Sequence, residues 1–585
     1  MRRLVRSALF TAAAVAAASG PVLGQTAATL EQALPEATQA LAARESVEAR
    51  EFMVAAAHPL AVEVGHDILA RGGSAADAAV AVQAMLTLVE PQSSGLGGGG
   101  FLLYWNAATE SLTTFDARER APAAADEGYW LDAEGEPLSF WDAVVGGRSV
   151  GVPGTPKLLE VLHARHGRLP WADLIDPAIA QAEEGFEVSP RLAGAIADAQ
   201  ERGLDTFDAT RDYFFDAEGA PLAEGTLLRN PDLARTLRLY ADQGAAPFYE
   251  GAIARDIVAA VRTDTNPGIL ELEDLASYEV IERAPVCVEY RAHEVCGMGP
   301  PSSGALTVGQ ILGMLEGFDL REIGPGAEAA HLLLEAGRLA FADRALYMAD
   351  ADFVSMPEGL LDRDYLRDRA ALIDPETSMG QAEAGDPPWE DAHLRAPDSE
   401  RPRRGTTHFV IVDRYGDMVS ATTTIESGFG SRVMTGGFLL NNELTDFSFR
   451  PEADGQPIAN RVEGGKRPRS SMSPTVVLRD GRPAVLVGSP GGAAIIGYTA
   501  AAIIAILDWQ MDPQAAIDRP NMVTLNGPSI IEDTAEGAEL AEALAAMGHE
   551  VSLRDLNSGL HVIVVAEDRL ISAADIRREG AVRGQ

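Results

Sequence analysis

The sequence predicts a large α+β protein, and three observations lead to that fold class. The chain has 585 residues, of which 46% are hydrophobic, so it can bury an extensive core. Apolar, β-branched runs predict strands near 101–115, 284–298 and 406–424. Long helical stretches separate them, at about 155–280 and 306–350. The length alone corresponds to about three or four domain equivalents.

The first 24 residues have the pattern of a secretory signal peptide. A start with three arginines precedes a short apolar run, Ala8 to Ala18, and Val22–Gly24 precedes the expected cleavage point. The run is shorter than the roughly 20 apolar residues of a membrane-spanning helix. We therefore expect removal of residues 1–24, no membrane span in the mature protein, and a periplasmic or secreted location.

The formal net charge of −40 argues against two classes of partner, nucleic acids and anionic membranes. A chain this acidic repels nucleic acids and anionic lipid surfaces, so we expect neither as a partner. The glycine-rich loop 92–101 lacks the lysine of a phosphate-binding loop and leads into a strand, so we expect it to let backbone pass close to a site. The ten histidines show no metal-ligand spacing, and the sequence predicts no metal and no cofactor.

Two cysteines, Cys287 and Cys296, occur in neighbouring predicted strands. A turn centred on Arg291 and Ala292 would place them opposite each other, although Arg-Ala is a weak turn signal. An exported protein can oxidise such a pair. The sequence leaves two alternatives open, a disulfide or two buried free thiols.

A β-hairpin is predicted after a polar, proline-rich segment, 376–405, which we expect to be a mobile linker. In the hairpin, two apolar runs flank a short turn that contains glycine. If Asp413 pairs with Asp417, Thr406 lies opposite Thr424, with Cβ atoms about 4.5–5.5 Å apart. Taken alone, this pair is equally compatible with two ordinary strand residues.

A threonine hydroxyl becomes a good nucleophile only when a base lies beside it. Cutting the bond before a threonine frees its own α-amine, whose reference pKa of about 7.7–8.0 suits proton transfer near neutral pH. This chemistry requires a threonine at the start of a strand, a preceding residue that tolerates strain, and an upstream segment that can move away. Thr406, Gly405 and residues 376–404 meet these three requirements.

Three further features could belong to a site or be purely structural. Arg118 follows a predicted strand and could bind a carboxylate or form a surface salt bridge. Glu443 and Asp446 lie close together in a predicted loop that could be merely solvated. The glycines before the predicted helix 493–507 could present N–H groups to an oxyanion or form only a tight turn.

The pentapeptide Gly147–Gly151 matches the nucleophile-elbow pattern of serine hydrolases, with Ser149 as the nucleophile. That motif requires a strand before the serine and a helix directly after it. Gly151, Pro153 and Gly154 crowd the place where the helix should form. A serine hydrolase that uses Ser149 is therefore a less favoured alternative.

Eight short motifs occur along the chain, and each is weak alone. They are Arg71–Val80, Leu96–Phe101, Asp116–Glu119, Pro301–Gly304, Gly405–His408, Asn441–Phe447, Lys466–Thr475 and Gly488–Gly492. Together and in this order, over about residues 50 to 577, they resemble the γ-glutamyltransferase (γ-glutamyltranspeptidase) family of N-terminal nucleophile hydrolases.

The resemblance implies a four-layer αββα sandwich and a proenzyme that cuts itself between Gly405 and Thr406. The products would be a large subunit, 25–405, and a small subunit, 406–585, which form a heterodimer. The resemblance also implies that Thr406 is the nucleophile and that Thr424 orients its hydroxyl. This assignment agrees with the hairpin register derived above.

The resemblance further implies a substrate site. The N–H groups of Gly491 and Gly492 would form an oxyanion hole. The implied ligands of the substrate are Arg118, Ser470 and Ser471 for its α-carboxylate, and Glu426, Glu443 and Asp446 for its α-amino group. Many family members have Asn in place of Glu426, and others have Glu.

The implied activity is transfer of a γ-glutamyl group from glutathione or another γ-glutamyl compound to water, an amino acid or a peptide. Two rivals are a glutaryl (cephalosporin) acylase of the same superfamily and a periplasmic binding protein, which would need no scissile bond. The acylase is less favoured because a glutaryl group has no amine for Glu443 and Asp446 to bind. Segment 449–466 is shorter than the tyrosine-bearing lid of some bacterial members, which leaves open the balance between hydrolysis and transfer.

Overall fold

The computed structural model describes residues 43–389, 394–398 and 405–585. The predicted signal peptide, 1–24, lies outside these residues, as does the segment 25–42. None of the helices in the described ranges is long and apolar enough to cross a membrane.

The strands, numbered in chain order, are β1 Val47–Ala49, β2 Met53–Ala56, β3 Gly99–Asn106, β4 Ser111–Ala117, β5 Phe186–Glu187, β6 Leu227–Leu228, β7 Ile281–Arg283, β8 Val286–Tyr290, β9 His293–Gly297, β10 Thr407–Val412, β11 Met418–Thr424, β12 Met434–Thr435, β13 Phe438–Leu439, β14 Glu452–Ala453, β15 Gln456–Pro457, β16 Thr475–Arg479, β17 Arg482–Gly488, β18 Met522–Val523, β19 Ser529–Glu532, β20 Val551–Arg554, β21 His561–Val565, β22 Leu570–Ala574 and β23 Ala581–Gly584.

The α-helices are α1 Pro59–Ala70, α2 Ala75–Val89, α3 Phe140–Val144, α4 Thr155–His166, α5 Trp171–Glu184, α6 Pro190–Gln200, α7 Asp208–Phe214, α8 Pro231–Gln243, α9 Ala246–Tyr249, α10 Ala252–Ala260, α11 Leu272–Ala276, α12 Gly304–Leu315, α13 Leu320–Ile323, α14 Ala327–Tyr347, α15 Arg363–Ala370, α16 Ala494–Leu507, α17 Pro513–Ile517 and α18 Ala535–Ala546. Short 3₁₀ helices occur at Gly147–Ser149, Glu358–Leu361 and Glu443–Asp446.

Two antiparallel, seven-stranded sheets form the centre of the fold. The strand order is β1-β22-β21-β17-β16-β9-β8 in the first sheet and β23-β2-β10-β11-β3-β4-β7 in the second. The sheets share an apolar core, to which Phe101, Leu103 and Val410 of the second sheet and Val476 and Leu486 of the first contribute. The fold is therefore mixed helix and sheet, as the sequence predicts.

Helices cover the face of each sheet that points away from the core between the two sheets. Leu102 alternates with Phe101 and Leu103 along β3, so it points away from the core between the sheets. It packs in a cluster with residues of α1 and α2, such as Val80. Val477 of the first sheet packs likewise with residues of α12, α14 and α16. The hairpin of β10 and β11 lies in the middle of the second sheet, where both of its edges are paired.

Two local patterns of the sequence are confirmed, namely the opposed cysteines and a helix start that is predicted by Ser74 followed three residues later by Asp77. Ser74 and Asp77 form a reciprocal capping box, because each side chain accepts a hydrogen bond from the other residue's N–H. Cys287 lies opposite Cys296 in the register of β8 and β9, and a disulfide joins them. Of the two alternatives that the sequence leaves open for the cysteines, the structure has the disulfide.

Residues 25–50 are rich in Ala and Glu, a composition that predicts a helix, and this prediction is wrong for the described end of the segment, where Val47–Ala49 forms strand β1. The strand pairs with β22 at the edge of the first sheet, with Val47 opposite Ser572. Backbone pairing with a distant strand therefore overrides the helical propensity of an Ala- and Glu-rich segment.

The described parts of the predicted linker, 376–389 and 394–398, contact the body of the protein. Ser378 Oγ donates to Glu335 Oε1 at 2.8 Å, and Asp398 Oδ2 accepts from Arg469 Nη2 at 3.0 Å. The mobility of this segment stays a prediction.

Candidate active site

A cavity of about 80 Å³ opens at the start of the central hairpin. Nine of the ten residues for which the sequence implies a catalytic or substrate-binding role line it, namely Arg118, Thr406, Thr424, Glu426, Glu443, Asp446, Ser470, Ser471 and Gly492. The tenth, Gly491, directly precedes Gly492 in the chain. Residues separated by more than 300 positions in sequence thus converge on one site.

The hairpin register is the one that the sequence predicts. Asp413 N donates to Asp417 O at 3.0 Å, and Thr407 lies opposite Thr423. Thr406 and Thr424 continue this register, and their Oγ1 atoms are 3.2 Å apart. The side chain of Thr406 therefore reaches the cavity with a second hydroxyl within hydrogen-bond distance.

The backbone around Thr406 has an unusual conformation. Its φ is +98°, and that of Gly405 is +139°. A β-branched residue with positive φ is a rare outlier, and such conformations cost on the order of 1–3 kcal/mol. A Cβ at residue 405 would lie 1.9 Å from Glu426 O, so only glycine fits there. Thr406 is held from both sides, since its N–H donates to Ser93 O at 3.1 Å and its carbonyl accepts from Arg578 at 3.2 Å.

The glycine-rich segment that leads into the start of β3 brings backbone close to the hairpin. A Cβ at Gly98 would lie 1.9 Å from Thr424 O, and one at Gly100 would lie 2.5 Å from Thr422 O. Side chains at these positions would push β3 away from the end of β11 that carries Thr424. The expectation that this loop lets backbone approach a site agrees with this packing.

A buried ionic cluster forms one wall of the cavity. The Arg118 guanidinium, whose side chain is 1% exposed, bonds to the carboxylates of Glu443 and Asp446. Its Nε donates to Pro468 O at 3.1 Å. Burial lowers the pKa of Arg118, but the neighbouring carboxylates, first Glu443, more than offset this effect and raise it above its ordinary value.

The contact between Arg118 and the acids differs from the expected arrangement. The family resemblance implies a cationic clamp for one end of the substrate and acids for the other end, whereas these groups bond directly to each other. A buried guanidinium without a charge partner would be strongly unfavourable, which explains the contact.

Glu119, which no sequence pattern singles out for a role, belongs to the same cluster. Its Oε2 lies 3.9 Å from Arg118 Nη1, and its side chain is fully buried. Burial raises the pKa of Glu119 to about 8, and Arg118 offsets this only in part. One guanidinium thus faces three carboxyl groups, and burial favours the protonated form of Glu119.

Glu426 and Ser470 also line the cavity. Glu426 Oε2 accepts from Ser427 Oγ and from Asn442 Nδ2, each at 2.6 Å. Ser470 Oγ accepts from Met472 N at 3.1 Å, which fixes the turn that carries the half-buried Ser471.

A strand-to-helix turn completes the site. Gly491 and Gly492, with φ of +132° and +59°, connect β17 to helix α16. Within the described ranges, neither N–H donates a hydrogen bond to a protein acceptor. An N-terminal turn of this kind offers two N–H groups and the positive end of a helix dipole to an anion.

The nucleophile-elbow interpretation of Ser149 is wrong. Ser149 ends a one-turn 3₁₀ helix that follows a helix rather than a strand. It is fully buried, and its Oγ lies 2.7 Å from Val144 O and 3.0 Å from Gly146 O. Ser149 is also not among the described residues that line the cavity. Its hydroxyl is bonded to backbone and has no catalytic partner in place.

Away from the cavity, His331, Glu335 and His549 bring three potential metal ligands within 4.8 Å of one another. Their ring nitrogens already have protein partners. His331 Nδ1 lies 2.7 Å from His549 Nε2, His331 Nε2 lies 2.8 Å from Asp374 O, and His549 Nδ1 lies 2.9 Å from Ser529 Oγ. The group is a satisfied hydrogen-bond network and does not by itself indicate a metal site.

Comparison with known proteins identifies the family. The family model described as gamma-glutamyltranspeptidase matches residues 61–585. The chain is 38% identical over 548 residues to a glutathione hydrolase proenzyme of Bacillus subtilis (strain 168), and the match covers 92% of each chain. It is 37% identical over 515 residues to the acylase ACY 1 proenzyme of Pseudomonas sp. (strain V22), covering 85% of this chain and 87% of that one.

A solved structure supports the same relationship. The cephalosporin acylase from Bacillus halodurans matches with a TM-score of 0.82 and 28% sequence identity, covering 94% of this chain and 99% of that chain. The family match and the relatives thus extend over most of the sequence. The chain therefore belongs to the gamma-glutamyltranspeptidase family, which is a family of enzymes.

Proposed function

We propose that this protein is an exported γ-glutamyltransferase and glutathione hydrolase that cuts itself between Gly405 and Thr406. One observation carries the proposal. The Oγ1 atoms of Thr406 and Thr424 lie 3.2 Å apart at the start of the hairpin, in the cavity that Arg118 also lines. The proenzyme name of the Bacillus subtilis relative supports a chain that is processed.

Self-cleavage begins when Thr406 Oγ1 attacks the carbonyl carbon of Gly405. The C–N bond breaks as the nitrogen takes a proton, and an ester links Gly405 to Thr406 Oγ1. Water then hydrolyses the ester, leaving a carboxylate on Gly405 and a free α-amine on Thr406. The strained backbone of Thr406 favours this step, because cleavage releases the constraint.

The two fragments, about 25–405 and 406–585, would remain together as a heterodimer. Strands β10 and β11 of the small fragment pair with β2 and β3 of the large one, so cutting the chain leaves the second sheet intact. We infer that the two sheets and their helical faces form the four-layer αββα sandwich of N-terminal nucleophile hydrolases. The shared core between the sheets supports this architecture.

In the processed protein, the α-amine of Thr406 takes the proton from its own hydroxyl. Oγ1 attacks the γ-carbonyl carbon of the donor, the amide C–N bond breaks, and the leaving amine takes the proton. Thr424 orients the hydroxyl, and the N–H groups of Gly491 and Gly492 stabilise the oxyanion. Water, an amino acid or a peptide amine then attacks the acyl-Thr406 ester.

The charged groups around the cavity suit an α-amino acid end of the donor. Arg118, Ser470 and Ser471 would bind its carboxylate, while Glu426, Glu443 and Asp446 would bind its ammonium group. Since the substrate carries both charges, it can share partners with the existing Arg118 ion pairs without leaving a buried charge uncompensated. A ligand with a carboxylate alone would compete with Glu443 and Asp446 for the guanidinium.

A cephalosporin (glutaryl) acylase is the second candidate, because named acylases are among the relatives. Two p-nitroanilides separate the candidates, since γ-glutamyl- and glutaryl-p-nitroanilide differ only in the α-amino group. We expect kcat/KM to be at least about 10²-fold higher for the γ-glutamyl compound, because a hydrogen bond to a charged group contributes about 1.5–3 kcal/mol and several acids face the amine. Equal or faster turnover of the glutaryl compound would favour the acylase.

Export is supported by the predicted signal peptide, 1–24, and by the disulfide between Cys287 and Cys296. Both support the proposed periplasmic or secreted location. Fractionation of cells and medium after expression of the full-length chain tests this location. We expect the protein in the periplasm or the medium, where extracellular γ-glutamyl compounds are available.

A further inference from the structure

Two buried residues, Ser303 and Arg344, bond to the serine pair of the cavity, Ser470 and Ser471. Ser303 belongs to the motif Pro301–Gly304, and Arg344 lies in the last turn of helix α14. Each is 1% exposed. Arg344 also lines the cavity beside Ser470 and Ser471.

The backbone of the serine pair is fixed by the motif. Ser303 N donates to Ser470 O at 2.9 Å, and Ser303 Oγ donates to the same carbonyl at 2.7 Å. Ser470 N donates to Pro301 O at 3.0 Å. The turn that carries both serines is therefore anchored to a segment from the other side of the scissile bond.

Arg344 bridges this anchor and the second serine. Its Nε donates to Ser303 Oγ at 2.7 Å, and its Nη2 donates to Ser471 Oγ at 2.7 Å. The guanidinium plane is thus held by one serine while it contacts the other. Ser303 is well suited to this position because its oxygen accepts from Arg344 while its hydrogen bonds to Ser470 O.

The chemistry of these contacts fixes the direction of one proton. A guanidinium can only donate hydrogen bonds, so Ser471 Oγ must accept from Arg344. The hydroxyl hydrogen of Ser471 is then directed to a different acceptor. A carboxylate in the cavity is such an acceptor, and the positive charge of Arg344, one hydrogen bond away, strengthens the Ser471 hydroxyl as a donor.

We propose that Arg344 is a positioning residue for the α-carboxylate of the substrate, acting through the Ser471 hydroxyl and held in place by Ser303. The inference rests on the proposed γ-glutamyl function. Recognition of the substrate carboxylate would then involve a second guanidinium, that of Arg344. The first, that of Arg118, also bonds to Glu443 and Asp446.

Steady-state kinetics with γ-glutamyl-p-nitroanilide test this role. Arg344→Met is expected to raise KM by about 10- to 100-fold with kcat changed by less than about threefold, since it removes a binding interaction rather than the nucleophile. Arg344→Lys, which keeps the charge and a donor, should recover part of the loss. Ser471→Ala should raise KM similarly, and adding Arg344→Met to Ser471→Ala should change it little further.

Two results would overturn the inference. One is an Arg344→Met variant with wild-type KM, and the other is a fully additive effect in the double variant, which would mean that Arg344 does not act through Ser471. Should Arg344→Met fail to fold, Ser303→Ala serves in its place, with an expected rise in KM of about 3- to 10-fold and an unchanged result contradicting the inference. Wild-type protein without any turnover would instead contradict the proposed function.

Discussion

Thr406→Ala is expected to leave the protein as one uncut chain with turnover of γ-glutamyl-p-nitroanilide reduced by about 10⁴-fold or more. The substitution removes the hydroxyl that is proposed to attack both the Gly405 carbonyl and the donor amide. It also leaves the α-amine of residue 406 locked in a peptide bond. A denaturing gel and the release of p-nitroaniline measure the two losses separately.

Ser149→Ala is the matched control for Thr406→Ala. Its hydroxyl is buried and bonded to the backbone carbonyls of Val144 and Gly146, so its removal should affect neither processing nor turnover by more than about threefold. Two fragments from the Thr406→Ala chain would mean that another group performs the cleavage.

Arg118→Met is expected to reduce both stability and activity strongly. Removing one partner of a buried ion pair costs about 3–5 kcal/mol, because carboxylates are left uncompensated. We also expect kcat/KM for γ-glutamyl-p-nitroanilide to fall by about 10²-fold or more, since the carboxylate of the donor loses its proposed guanidinium partner. Denaturant unfolding and steady-state kinetics measure the two effects.

The loss of stability in Arg118→Met should depend on pH. Burial already raises the pKa of Glu119 to about 8 with Arg118 present, so the folded protein holds a proton that the unfolded chain releases near its ordinary, lower pKa. The contribution of Glu119 to the free energy of unfolding therefore falls as the pH rises from the ordinary pKa of the carboxyl group to about 8. Without Arg118, the pKa of Glu119 in the folded protein rises further, so this contribution continues to fall at higher pH. We expect a larger loss in the free energy of unfolding at about pH 8 than at about pH 5.

Arg482→Met is the matched control for Arg118→Met. Arg482 forms an exposed ion pair with Glu110 at 3.3 Å, and its replacement should change the free energy of unfolding by less than about 1 kcal/mol at either pH. An Arg118→Met variant as stable as Arg482→Met would show that the buried cluster needs no cation.

Local patterns made part of the site predictable from the sequence. The register that opposes Thr406 to Thr424 follows from two apolar runs and a short turn, which are adjacent in the chain. The same is true of the capping box at Ser74 and of the disulfide partner of Cys287, since each depends on a few neighbouring residues.

Contacts between distant residues were not predictable in the same way. Arg118 and Glu443 are 325 positions apart, and nothing in either motif indicates that they bond directly. Arg344 is 127 positions from Ser471 and sits in a helix with no recognisable motif. Strand β1 forms only because β22 is available to pair with it. These features depend on how the sheets and helices pack, which local propensity does not encode.

The identity of the acylated residue tests the proposed mechanism most directly. Wild-type protein is mixed with γ-glutamyl-p-nitroanilide without an added acceptor, quenched in acid during turnover, and digested for mass spectrometry. The small fragment should carry one γ-glutamyl group as an ester on its N-terminal residue, Thr406. A γ-glutamyl group on any other residue, or an acylated fragment that does not begin at Thr406, would contradict the mechanism.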